Sequence, residues 1–292
     1  MIARSFVCTR LAPAVLVAGF LLAATPASAQ FFGTCTRDEL KAAADGYIAT
    51  QSTGDAAQMP LGGWMTYTEQ GQLGTMSTGI ISKPLKIDFH RTLIDATNCA
   101  AYVEVIVTDP AHPYVIGAKL QSRGGGIGDI EVIVTDAGDW LFNATNTLKY
   151  SKAENWDEIP AAERDSRETL LAAANAYLDL FNDKNVQVPW GTPCARLEGG
   201  LYTGKGAPGV ATPQDSCNVG VPSGVKLVNR KYVVDESLGA VAVFLTFGQN
   251  ELPDIHTFRI EKGKIRYVHT ITMCKSPNCG FPLPDQLKTA GN

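Results

Sequence analysis

The sequence predicts an α+β protein of two tandem domains, each a leading helix followed by a long-stranded antiparallel sheet. Three observations carry this. Blocks of the first half recur in the second at offsets of 129 to 140 residues. Each half opens on apolar residues at helical spacing and continues in segments that alternate with a period of two. Apolar residues make up 45% of the chain and charged residues 18%, enough hydrocarbon for packed cores and too little charge for a disordered chain. At 292 residues the chain also exceeds the usual size of one core, which favours two.

The first 29 residues read as an address. Arg4 and Arg10 give a basic start, Leu11 to Ala24 an apolar run, and Ala27-Ser28-Ala29 the small residues of a secretory cleavage site before Gln30. A retained anchor is the alternative, but the run falls short of the roughly 20 apolar residues that cross a bilayer and contains Pro13. Removing 29 of the 292 residues, Arg4 and Arg10 among them, leaves 263 with 23 basic against 29 acidic side chains, a net charge of −6. That acidic balance leaves no basic surplus for phosphates, so a nucleic-acid partner is not expected. A membrane partner is not expected either, since the long apolar stretch is confined to the N-terminus.

The first domain, residues 30–152, starts with a capping-box pattern, Thr36 and Glu39, before Leu40, Ala43, Ala44, Tyr47 and Ile48 on one helical face. Strands are expected at Trp64–Glu69, Lys86–Asp95, Ala101–Thr108, Tyr114–Gln121 and Ile130–Thr135. Residues 153–164, with Pro160, form a linker. The second domain, residues 165–280, repeats the order. Ser166 caps a helix bearing Leu170, Leu171, Ala174, Tyr177, Leu178 and Phe181, and strands follow at Arg196–Tyr202, Lys226–Val234, Ala240–Phe247, Ile255–Glu261 and Lys264–Thr272. Residues 281–292 are a tail. The helices align at an offset of 130, Pro60 with Pro189, and Lys86–Ile106 with Lys226–Thr246 at 140, matching Asp95 to Asp235. Lys119 then meets Arg259 at 140, and Gly128-Asp129-Ile130 meets Gly263-Lys264-Ile265 at 135.

Beyond Cys8 in the leader, six cysteines remain, at 35, 99, 194, 217, 274 and 279, an even number that fits export and three disulfides. Fifteen pairings are possible; the expectation is the sequential one, Cys35 with Cys99, Cys194 with Cys217, and Cys274 with Cys279. A zinc site is the rival, but no second close pair completes four ligands, so no metal is expected. Asn143-Ala144-Thr145 is a glycosylation triplet.

The stretches Cys35-Thr36-Arg37-Asp38-Glu39-Leu40, Val107-Thr108-Asp109-Pro110, Thr135-Asp136-Ala137-Gly138-Asp139-Trp140-Leu141-Phe142, Val188-Pro189-Trp190-Gly191-Thr192-Pro193-Cys194-Ala195-Arg196-Leu197-Glu198-Gly199-Gly200 and Arg266-Tyr267-Val268-His269-Thr270-Ile271 are similar to an uncharacterised, mainly fungal, secreted protein family. The order of elements resembles the SnoaL-like superfamily, the fold of nuclear transport factor two and scytalone dehydratase, here in two copies. That resemblance implies a cone in which each sheet curls around its helices and leaves a pocket at the wide end. It implies no single activity, because such folds host dehydratases, isomerases, cyclases, hydrolases and non-catalytic binders.

A catalyst of this shape needs titratable groups inside an apolar cone. The second repeat is richer in them. Period-two alternation puts Arg196 and Glu198 on one face of their strand, His256 and Phe258 on one face of theirs, and Tyr267, His269 and Ile271 together. His256 and His269 fall on neighbouring strands with Asp254 close by, so His269, His256, Glu198 and Asp254 are the candidate acid–base residues. Arg196, Tyr267, Arg259 and Trp190 are candidates for substrate contact. For each histidine, the competing reading is a structural hydrogen bond; for Arg196 and Glu198, a mutual ion pair. A weaker cluster, His90, Arg91, Asp95 and Asp88, sits in the first repeat, where Tyr67 and Glu69 take the places of Arg196 and Glu198. His112 reads as exposed, and Trp64, Trp140 and Trp190 as core or pocket lining. The run Gly124–Gly128 is a hairpin, since no Lys-Ser/Thr follows it, and no Gly-x-Ser-x-Gly elbow occurs. The expectation is a secreted, cofactor-independent lyase or isomerase acting on a small or carbohydrate-like molecule. The alternatives are a non-catalytic binding protein and a scaffold whose two domains pack as an internal pseudo-dimer.

Overall fold

A computed structural model describes residues 35–280. The leader and its cleavage site, and the tail 281–292, lie outside the described residues.

Helix α1, Arg37–Thr53, starts where its capping box dictates: Thr36 accepts from the Glu39 amide, and Glu39 closes the box back onto Thr36. It ends at Gly54, whose left-handed φ of 74° suits glycine. Helix α3, Arg167–Asp179, is capped by Ser166, whose side chain accepts from the Thr169 amide. Helix α2, Ala144–Ala153, is a helix the sequence did not announce. Only Ala144 and Leu148 give it an apolar stripe, too sparse to register as a period. Its N-cap is Asn143, whose side chain accepts from the Asn146 amide, so the residue of the glycosylation triplet has a structural task.

Among the described residues, twelve strands form two six-stranded sheets of identical topology. The first is β1 (Leu61–Glu69), β2 (Gln72–Gly74), β3 (Phe89–Asp95), β4 (Ala100–Val107), β5 (Tyr114–Arg123) and β6 (Gly126–Thr135), in the order β2-β1-β6-β5-β4-β3. The second is β7 (Trp190–Glu198), β8 (Leu201–Tyr202), β9 (Leu227–Asp235), β10 (Ala240–Phe247), β11 (Leu252–Glu261) and β12 (Lys264–Thr272), in the order β8-β7-β12-β11-β10-β9. The sheets are not wholly antiparallel: β1 runs parallel to β6, and β7 to β12, because the first strand of each repeat returns beside the last across a long connection.

Register corrects part of the repeat alignment. Asp95 pairs with Ala100 and Asp235 with Ala240, which keeps the offset of 140 through β4 and β10. Val103 then pairs with Ala118, whereas Val243 pairs with His256, so β5 and β11 correspond at 138. The reason is the hairpin: Val107 to Tyr114 is a longer connection than Phe247 to Leu252. Arg259 therefore matches Gln121 rather than Lys119, and Gly263 matches Gly125 rather than Gly128. A two-residue change is tolerated because it keeps every side chain on its face.

Among the described residues, three apolar cores result. Leu40, Ala44 and Tyr47 of α1 pack on Val105, Ile116 and Val132 of the first sheet. Leu170, Tyr177 and Leu178 of α3 pack on Val243, Phe258 and Val268 of the second. Between the sheets, Leu93, Tyr102 and Ile106 meet Ala242, Phe244 and Ile271, with Tyr102 edge-on to Phe244 at 5.9 Å.

Two reciprocal ion pairs fasten the repeats. Arg37 on α1 grips Asp235 of the second repeat at 3.0 and 2.9 Å, and Arg167 on α3 grips Asp95 of the first at 2.9 and 2.8 Å. Asp235 also accepts from the Ile94 amide and Asp95 from the Val234 amide. Residue i holding j′ while i′ holds j is the signature of a two-fold interface, here within one chain. The cysteines pair as 35–99, 194–217 and 274–279, which fits a secreted protein. Among the described residues, no helix is long and apolar enough to cross a membrane.

Candidate functional site

The inner face of the second sheet carries a charged cluster. Alternation turns Arg196 and Glu198 of β7, Asp254 and His256 of β11, and Thr270 and Thr272 of β12 toward α3. Cross-strand pairing lines up His256, Thr270 and Glu198 in one row. His256 donates from Nδ1 to Asp254 Oδ1 at 2.6 Å, and Thr272 donates to Asp254 Oδ2 at 2.7 Å. That bond fixes the imidazole and leaves Nε2 as the nitrogen available for chemistry. Arg196 Nε donates to Glu198 Oε1 at 2.6 Å, and Thr270 and Trp140 Nε1 donate to Oε2 at 3.1 and 3.4 Å. Burial opposes the Glu198 charge, but Arg196 and His256 outweigh it and hold the carboxyl below the usual carboxylate range. Tyr177 lies against Arg196, its ring centre 5.5 Å from the guanidinium carbon and its hydroxyl buried without a well-formed hydrogen bond. Burial pushes that phenol up. Trp190, half-buried, meets Tyr177 edge-on at 5.7 Å.

A long loop between β8 and β9 seals this interior. Cys217 on it is bonded to Cys194 of β7, and its Gly220 carbonyl accepts from Arg196 Nη1 at 2.8 Å. Arg196, Glu198, Asp254 and His256 are all buried beneath it.

His269 does not join them, and the expected convergence of the two histidines fails. His256 pairs across to Thr270 and His269 to Thr257, so the rings point to opposite faces of the sheet. His269 lies between the repeats, its Nε2 2.6 Å from Glu154 Oε2 and its Nδ1 3.4 Å from Arg91 Nη1 and 3.8 Å from Glu104 Oε1. Arg91 donates to Glu104 at 2.7 Å and lies 4.0 Å over the Trp156 ring. Burial opposes the His269 charge, yet Glu154 and Glu104 raise it to about 8. The same neighbours act in reverse on Glu104: against burial, Arg91 and His269 hold it low. Tyr267 stacks on Trp156 at 5.9 Å on this outer face, and Arg259 there donates to Glu261 and the Asp157 carbonyl, both at 2.9 Å. Neither faces the interior.

The weaker cluster is also dispersed. His90 is exposed, Asp88 accepts from the Thr108 amide and hydroxyl, and Asp95 holds Arg167. His112 is exposed, as expected, and stacks on Tyr114. Trp64 neither lines a pocket nor enters a core; it is 94% exposed. Sequence reasoning missed Thr270, Thr272 and Tyr177 inside, and Glu104, Glu154 and Trp156 outside. The signal for the first two was present: two threonines two apart on one strand share one face.

The corrected register makes the first repeat a control. Ile116 stands where Asp254 does, Ala118 for His256, Val132 for Thr270 and Val134 for Thr272. Tyr47, Tyr67 and Glu69 replace Tyr177, Arg196 and Glu198; Tyr67 donates to Glu69, which also accepts from the Ile80 amide at 2.7 Å. Among the described residues, no group of three His, Cys, Asp or Glu side chains could hold a metal ion.

Residues 163–272, the span of the second repeat, match a family model described as a domain of unknown function, DUF8021. No curated protein matches the chain.

Proposed function

We propose that the second repeat is the working half of the protein, a cofactor-independent acid–base centre of the lyase or isomerase type inside a SnoaL-like cone, and that the first repeat is its structural partner. One observation carries this reading. The same backbone closes over hydrocarbon in the first repeat and over Asp254, His256, Arg196, Glu198, Thr270 and Thr272 in the second. Burying charges is expensive even when they are paired, and the first repeat shows that this architecture does not require them.

In such a centre, His256 Nε2 takes a proton from carbon next to a carbonyl or hydroxyl-bearing position. The electron pair either forms a double bond as a hydroxyl leaves as water with the proton that His256 Nε2 has taken, or the proton returns at another carbon. Arg196, held by Glu198, offers positive charge to the developing oxyanion. A substrate reaches them when the loop around Cys217 moves aside.

The sealed interior favours a second reading, in which the cluster is a buried structural network and the protein binds partners without chemistry. Untargeted metabolite profiling of small-molecule and glycan extracts, incubated with the wild-type chain and with His256→Gln, separates the two. A compound consumed by the wild type alone supports catalysis. Identical profiles from two folded proteins sink it.

A further inference from the structure

The internal two-fold relates two unlike grooves between the sheets. In one lies α2: Tyr150 stacks on Tyr202 at 4.1 Å, and Ala144 and Leu148 share a core with Ile106, Val115 and Ile271. The other is a cleft of about 480 Å³, lined by the residues that register makes the mates of that core. Ile133 stands for Ile271, but Thr246 stands for Ile106, Pro253 for Val115 and Glu131 for His269. What seats an apolar helix on one side is a polar trough on the other.

The polar groups in the trough are of the kind that meet hydroxyls. Lys231 and Glu131 pair at 2.8 Å, which cancels their charges. Asn229 sits on a bulge of β9 that β3 lacks. There the pairing slips between Phe244 and Thr246, Asn229 turns left-handed at φ 55°, and its carboxamide donates to Thr246 Oγ1 at 3.3 Å. That bond leaves the Asn229 carbonyl oxygen over. The Gln72 carboxamide and the Glu251 carboxylate, which also line the cleft, enter no hydrogen bond among the described residues.

Glu251 also lines a second cavity of about 390 Å³, with Gln249, Asn250, Lys275 and Ser276. The two cavities share it as a wall and make one groove. Along this groove Glu131 and Glu251 are balanced by Lys231 and Lys275, so the lining carries no net charge. An anionic or a cationic ligand would upset that balance, whereas a neutral one keeps it. Carboxamides and hydroxyls both donate and accept, which is what sugar hydroxyls require of their partners. Ile133 and Pro253 add hydrocarbon for the C–H face of a ring.

We propose that this groove binds a neutral oligosaccharide, with its hydroxyls on Asn229, Thr246, Gln72 and Glu251 and its ring C–H groups on Ile133 and Pro253. Two adjoining chambers suit linked sugar units better than a single one. The site lies on the face of the second sheet turned away from α3, so it is separate from the acid–base centre and does not rest on that reading.

Isothermal titration of the full-length chain with cellohexaose, laminarihexaose, mannohexaose and chitohexaose, and with hexagalacturonate as the acidic control, tests this. Wild type is compared with Asn229→Gly, Glu251→Gly, Thr246→Val and His256→Gln. At positions 229 and 251, where φ is 55° and 52°, glycine keeps the left-handed backbone and removes only the side chain. The expected result is that at least one neutral hexasaccharide binds and the acidic one does not. Each of the three groove variants is expected to bind about fivefold to tenfold more weakly, the worth of one hydrogen bond, and His256→Gln to bind as wild type does. Failure of all four neutral hexasaccharides to bind overturns the proposal, as does binding that the groove variants leave unchanged. Binding lost in His256→Gln and kept in Asn229→Gly also overturns it, because the sugar would then sit in the acid–base centre.

Discussion

The two sheets share one topology and differ in what fills them. The first closes over Ile116, Ala118, Val132 and Val134 and needs only a tyrosine–glutamate pair. The second closes over two coupled acid–base pairs under a disulfide-tethered loop. Hydrocarbon in the first position tolerates small errors of shape, whereas a buried charge without its partner has nowhere to discharge. The difference teaches where the stability of this fold ends and its specialisation begins.

The comparison breaks most visibly at Arg196. Arg196→Met leaves Glu198 buried and unpaired and is expected to cost about 3–5 kcal/mol, measured by urea unfolding. Tyr67→Phe at the matching place is expected to cost about 1 kcal/mol, the worth of a hydrogen bond. Equal losses would mean that the two interiors do not differ in kind. Removing the tether with Cys194→Ala and Cys217→Ala comes next, at about 3 kcal/mol from loop closure. It is also expected to speed hydrogen exchange of the amides on β11 and leave those on β5 unchanged.

A third test turns to the outer face of the same sheet, at His269 on β12. His269 is raised to about 8 from an ordinary 6.5, so the fold prefers its charged form. The stability it contributes is therefore complete below about pH 6.5 and lost as pH rises through 8, a decline of about 2 kcal/mol. Melting temperature against pH, for wild type and His269→Gln, checks this; the variant should lack the decline over that window.

The smallest effect on stability sharpens the comparison furthest. Carrying the residues of the first repeat into the second, as Asp254→Ile, His256→Ala and Thr272→Val together, removes a whole polar network rather than one partner. Stability is expected to stay within about 1.5 kcal/mol of wild type while any turnover is abolished. A loss as large as that of Arg196→Met would assign the network to folding.

Much of this was legible in the chain. The caps at Thr36 and Ser166 act within a turn of their own residue, and so they were readable. The shared face of Arg196 and Glu198 followed from alternation along a single strand, whereas Asp254 was read only as close to His256, because the expected strand began at Ile255 and the observed one begins at Leu252. Pairing between strands was another matter. Nothing local to β12 says whether Thr270 or His269 faces the helix, and that choice separated His256 from His269. The reciprocal grips of Arg37 and Arg167 were hidden for the same reason: each partner lies in the other repeat.

The sequence by itself determined the duplication, the starts of α1 and α3 and the period-two faces, because backbone dihedrals and capping are settled among near neighbours. The tertiary structure alone decided the two-residue change in register, the face each strand turns inward, and the groove that α2 fills. These depend on pairing and packing between distant segments, where the burial of whole faces outweighs any local preference.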